Sequence, residues 1–162
     1  KQLAKQPKSE ALLFQRGSLQ SMGHNMDYQD AWKGAEADLT LLLTLNPNHI
    51  EGVLELGNMY VNTGPEYSEK AMNLFLAAQC LSGSEPNEVA QRGLFFALYY
   101  QGKIPAAYKQ LQILNKYWPG NETYQHLEKM TWERFSKEIN AGEVTEPSKV
   151  VFSSCEKPAK AS

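Results

Sequence analysis

The sequence predicts an all-α protein, a stack of antiparallel hairpins with about seven helices. Three observations point to it. Pro47, Pro86 and Pro119 close three successive apolar stretches, 39 and 33 residues apart. In the last stretch, Gly102, Ala107, Leu111, Leu114 and Pro119 set small, large and helix-stopping residues at offsets of 0, +5, +9, +12 and +17. In the stretch before it, Val53, Leu56, Gly57 and Tyr60 share one helical face, and Ala71, Phe75 and Ala78 share another.

Residues 1–8 are polar, contain Pro7, and read as a disordered lead-in. Ser9 and Glu10 precede an apolar run and signal a helix start. The repeat region spans 9–139, in units of about 9–47, 48–86 and 87–119. The first unit places Leu13, Gly17 and Leu19 on one helix. Its second helix runs from about Tyr28 to Leu45, and either the turn over Ser21 to Asp27 or that helix is enlarged. The second unit turns at Gly64 and starts its second helix near Ser68. Extra residues fall at Pro65-Glu66 and Gly83-Ser84-Glu85, turn-like positions that tolerate insertion. The third unit carries Leu94, Phe95 and Leu98, then the hairpin of Gly102 to Pro119.

A capping helix is expected over 121–139, with Asn121 as N-cap and Glu122 in the first turn. Tyr124, Leu127, Met130 and Phe135 form its expected buried stripe; Glu128, Lys129, Glu133, Arg134, Lys137 and Glu138 keep the rest polar. Residues 140–162 lose periodicity and read as a disordered tail, or one lying along the array. Its apolar cluster, Val150-Val151-Phe152, offers an internal plug for a groove or a contact with a neighbour as the alternative to disorder.

Packing explains the pattern. Small residues such as Gly57, Ala71, Ala78 and Ala107 let antiparallel helices approach, while Tyr60, Phe75 and Leu111 fill the space beside them. Proline lacks a donor and restricts the residue before it, so the helix ends there. One hairpin cannot bury its apolar face alone, so about three must stack.

The formal charge of -2 over 162 residues argues against a general nucleic-acid binder. The longest apolar runs, Leu41 to Leu43 and Leu94 to Leu98, are too short to span a bilayer. No signal peptide is visible, and a chain opening on Lys1 reads as processed or trimmed, leaving a soluble cytoplasmic or periplasmic location open. Two cysteines, Cys80 in an apolar helix and Cys155 in the tail, read as free thiols, one of them buried. His24, His49 and His126 are scattered without ligand spacing and read as solvated loop or helix-end residues, so no metal is expected. Glu51 and Glu55 lie one turn apart and read as a solvated or groove-facing face rather than an acid/base pair. Asn121-Glu122-Thr123 matches a glycosylation sequon, but a capping role accounts for the asparagine. No nucleophile elbow, phosphate loop or zinc spacing is present, so neither an enzyme nor a cofactor is expected.

LELGNMYVNTG resembles the first helix and turn of a tetratricopeptide (TPR) repeat, and EYSEKAMNLFLAA and GKIPAAYKQLQIL resemble the second helix. The closing-proline spacing brackets the TPR period of about 34 residues. The resemblance covers roughly residues 10–139. It implies a right-handed superhelix of helical hairpins whose concave groove, lined by first helices, takes a peptide. The family's groove positions fall on Glu51, Leu54, Asn58 and Val61, then on Val89, Arg92, Phe96 and Tyr99. The first unit gives Ala11, Phe14, Ser18 and Ser21, and Tyr100 reaches the rim. The TPR subclass that clamps chaperone C-terminal carboxylates needs lysines that are absent here, and Glu51 and Leu54 do not suit it. An aromatic wall with one arginine suits an apolar or amphipathic peptide with an acidic anchor.

The expected function is therefore a binding module, an adaptor or assembly factor holding a segment of a partner protein. The expected groove comprises Phe14, Glu51, Leu54, Asn58, Arg92, Phe96, Tyr99 and Tyr100. Self-assembly through an end helix or the tail, giving a homo-oligomer, is the alternative. In layout alone the chain is similar to bacterial envelope and cytochrome c maturation assembly factors, which are short TPR arrays.

Overall fold

A computed structural model describes residues 9–26 and 30–142 of the chain. Among the described residues all regular structure is helical: α1 (Glu10–Asn25), α2 (Ala31–Leu45), α3 (Ile50–Thr63), α4 (Ser68–Ser82), α5 (Glu88–Tyr100), α6 (Ile104–Tyr117) and α7 (Glu122–Ala141). A single 3-10 turn, Pro65–Tyr67, precedes α4. Each helix packs on the next. In addition α1 touches α3, and α3 touches α5, so these three first helices share a layer.

Short polar side chains set several helix starts. The Asn121 side chain accepts from the backbone N–H of Thr123 and Tyr124 at 3.0 and 3.3 Å, as the sequence predicts. Asn87 does the same for α5 through Ala90, at 3.0 Å. Gly102 turns α5 into α6 with a φ of 71°, which favours a residue without a Cβ.

Two apolar clusters fill the interior. One joins α1 to α5 around Leu13, Leu39, Met59 and Phe75. The other joins α5, α6 and α7 around Phe95, Leu111, Leu114 and Tyr124. The small residues singled out by spacing, Ala71, Ala78 and Ala107, are fully buried. A chain of buried glutamines crosses the interior beside them. Gln110 Nε2 donates to Gln91 Oε1 at 2.7 Å, and Gln91 Nε2 donates to Gln79 Oε1 at 2.9 Å. Gln79 in turn donates to the carbonyl of Glu85 and accepts from the N–H of Asn87, tying down the turn between α4 and α5.

Several expectations are corrected. The second helix of the first unit begins at Ala31; Tyr28, its expected start, lies outside the described residues. The capping helix continues to Ala141, so residues 140 and 141 belong to it rather than to the tail; 143–162 lie outside the described residues. Met130 is 52% exposed and leaves the expected stripe, because Tyr124 and Thr131, seven residues apart, take the buried face. Residue Phe135 has non-helical φ and ψ of -126° and 20°, which kinks α7. Cys80 is exposed and disulfide-bonded, not a buried free thiol; Cys155 lies outside the described residues. His49 sits at a helix end, one of the two expected places, but is half-buried: its Nδ1 accepts the Gly52 N–H at 3.0 Å and caps α3.

Candidate functional site: a groove along helices α3 and α5

Helical spacing puts Asn58, Val61 and Asn62 on one face of α3, and Arg92, Phe96 and Tyr100 on one face of α5. The contact between α3 and α5 brings the two stripes together. Between them lies a groove of about 500 Å³, lined also by Ser21 and Met22 of α1. Glu55 also lines it, one turn before Asn58. A carboxylate and a guanidinium therefore face the same space, with two amides and an aromatic edge.

Arg92 is held near one end of this space. The Tyr124 hydroxyl, donating to Glu88 Oε1 at 2.7 Å, sits beside the guanidinium. Burial raises the Tyr124 pKa first, the hydrogen bond to Glu88 and its charge raise it further, and Arg92 opposes them. Arg92 itself is solvent-exposed, so its charge is available at the rim.

An aromatic cleft of about 170 Å³ lies between α5 and α7 and shares Phe96 and Tyr100 with the first space. Phe96 and Tyr100 stack at 6.2 Å with their rings 25° apart. Tyr99 meets Phe135 edge-on at 6.2 Å, across the helix pair. Arg134 and Met130 complete the mouth, with the Arg134 guanidinium 5.0 Å from the Phe135 ring centre.

Of the groove residues predicted from sequence, Asn58, Arg92, Phe96 and Tyr100 line the first space, and Tyr99 lines the aromatic cleft. Three do not line either one. Leu54 is half-buried and packs against the first core cluster. Phe14 packs there too, its ring 5.3 Å from His49. Glu51 is exposed, 3.6 Å from His49 Nδ1, the nitrogen that accepts the Gly52 N–H. The sequence reading missed the α7 side of the surface. The signal available was position: a helix following the last hairpin takes the place of the next first helix.

Among the described residues no three histidines, cysteines or carboxylates come together as metal ligands. No described helix is long and apolar enough to cross a membrane. No family model, curated protein or solved structure matches the chain.

Proposed function

We propose that the protein is a TPR-like binding module that holds a segment of a partner polypeptide along α3, α5 and α7. The observation that carries this reading is that the two spaces share Phe96 and Tyr100 in their walls. One end offers a guanidinium and amides, the other an aromatic wall, and their shared edge lets one peptide use both. Aromatic anchors and a rim arginine are the groups that dominate peptide affinity. The preferred segment is amphipathic, with an apolar anchor for the cleft and an acidic residue near Arg92. Selection from a displayed random-peptide library tests this. Enriched peptides should combine an apolar residue with an acid, and Arg92→Glu with Tyr99→Ala should abolish their binding while the fold is kept. Equal binding by that folded double variant would remove the groove from the account.

Self-assembly is favoured by one observation of its own. Leu19, Met22 and Met26, at helical spacing along and just past α1, are 68%, 59% and 67% exposed. Sedimentation of the protein and of Leu19→Lys separates the readings: a concentration-dependent dimer lost in the variant supports assembly, and a monomer throughout removes it.

A further inference from the structure

A second cleft lies on a different face, between α6 and α7. It measures about 410 Å³, close in size to the peptide groove, and shares no lining residue with it. Tyr108 and Trp132 form one wall, with ring centres 5.5 Å apart and planes tilted by 39°. Trp132 is 40% exposed, unusual for so large an apolar surface in a helix otherwise polar on that side. Glu128 and Asn115 form the floor.

The floor is prepared for positive charge. Glu128 is only half exposed, and its Oε2 accepts from Asn115 Nδ2 at 2.5 Å. The same amide also donates to the Tyr124 carbonyl at 3.3 Å, so two acceptors fix its orientation. Tyr108 stands beside this carboxylate; burial, then the Glu128 charge, raises its pKa. Both groups on Glu128 are neutral. The nearest cation lining the cleft, Lys129, instead lies 3.9 Å from Glu133, one turn on. A fixed carboxylate beside two aromatic rings attracts a cation twice, by charge and by the ring quadrupoles. Among cations a guanidinium fits this combination best. It is planar, weakly hydrated, stacks on aromatic rings and donates in a fork to a carboxylate.

We propose that the α6–α7 cleft is a docking site for an arginine side chain of a partner polypeptide, stacked on Trp132 and Tyr108 and paired with Glu128. This inference does not rest on the groove reading. The two faces are separate, and either can fail alone.

The test is titration of the intact protein with blocked Gly-Arg-Gly, followed by the tryptophan indole N–H signals in proton–nitrogen NMR. The Trp132 signal, assigned from Trp132→Phe, should shift and saturate, and the affinity should fall with added salt. Glu128→Gln keeps the acceptor for Asn115 and should weaken binding at least tenfold. The isosteric neutral peptide Gly-citrulline-Gly should bind the wild type at least tenfold more weakly. Absence of a saturable Trp132 shift would overturn the proposal. So would equal binding of the citrulline peptide, which would mark a site for neutral ligands. Unchanged affinity in folded Glu128→Gln would overturn it as well.

Discussion

The ring of Phe75 lies on the bare backbone of Gly93: a Cβ built there would come within 2.3 Å of Phe75 Cζ. The same ring meets Gly57, where a Cβ would come within 2.9 Å of Cε1. Phe75 belongs to α4, Gly57 to α3 and Gly93 to α5. One fully buried ring thus sets the spacing of three helices beside the space between α3 and α5. Gly93 itself lines that groove. The packing that makes the fold therefore also sets the separation of Asn58 from Arg92.

Replacement of Gly93 by alanine should lower stability by about 1–3 kcal/mol, the usual range for overpacking. The gain in helix propensity, about 1 kcal/mol, works in the opposite direction and is outweighed by the backbone's approach to a buried ring. Gly57→Ala should cost less, since its Cβ meets the ring at a longer distance. Urea unfolding of both variants checks the order. Phe75→Leu in the Gly93→Ala background should recover part of the loss, and strictly additive effects would refute the direct contact.

Much of this arrangement was legible in the sequence and some was not, for identifiable reasons. Gly57 announces itself because it repeats the small-residue position of a hairpin, seven residues before the turn glycine Gly64. Gly93 sits in a run of aromatic and aliphatic residues where periodicity conveys little. The groove stripe on α5 came from the positions that the TPR resemblance implies, and Arg92, Phe96 and Tyr100 do line the space. Leu54 and Phe14 were expected in the groove but pack against the first core cluster, because a groove position and a core position differ by a fraction of a turn. The α7 wall was missed because the repeat count stops at Pro119, while packing does not. The glutamine chain was invisible: Gln79, Gln91 and Gln110 look like ordinary surface residues until the fold buries all three.

Those glutamines give the second prediction. Gln79 satisfies the carbonyls of Gly83 and Glu85, the N–H of Asn87 and the amide of Gln91. Gln79→Leu leaves these groups without their partner, and each unsatisfied buried group costs about 1–3 kcal/mol. The expected loss is at least about 2 kcal/mol, allowing some of the turn to reach water. Gln110→Leu should cost less, because Gln110 only donates into the chain from its end. Thermal unfolding of the two variants measures the difference, and equal losses would count against the network.

Helix capping gives the third. Asn121→Ala removes the acceptor for two backbone N–H groups and should cost about 1 kcal/mol. Asn87→Ala should cost more, since Asn87 also donates to Ser82 Oγ at 3.0 Å and so links the end of α4 to the start of α5. Asn121→Ser should restore most of the lost stability, because serine caps nearly as well. Failure of that rescue would show that Asn121 acts otherwise than as a cap.

The last prediction concerns alkaline pH. Tyr60 is almost fully buried, its hydroxyl donates to Glu36 Oε1 at 2.5 Å, and its ring stacks on Tyr67 at 5.5 Å. Burial raises its pKa well above the ordinary 10.0, and the hydrogen bond to Glu36 and that residue's charge add to it. Tyr108 and Tyr124 are shifted the same way, each first by burial. The folded state therefore keeps these phenols protonated after the unfolded chain has begun to release them. Below pH 10.0 both states hold the proton, and stability is unaffected by this linkage. Above it the unfolded state is favoured, by up to roughly 1.4 kcal/mol per pH unit for each such tyrosine. Stability followed by urea unfolding should thus be level through neutral pH and decline beyond pH 10.0. Tyr60→Phe should start lower, by about 1 kcal/mol for the lost hydrogen bond, but decline less steeply. A variant that declines as steeply as the wild type would show that Tyr60 ionises as freely in the folded protein as in the unfolded chain.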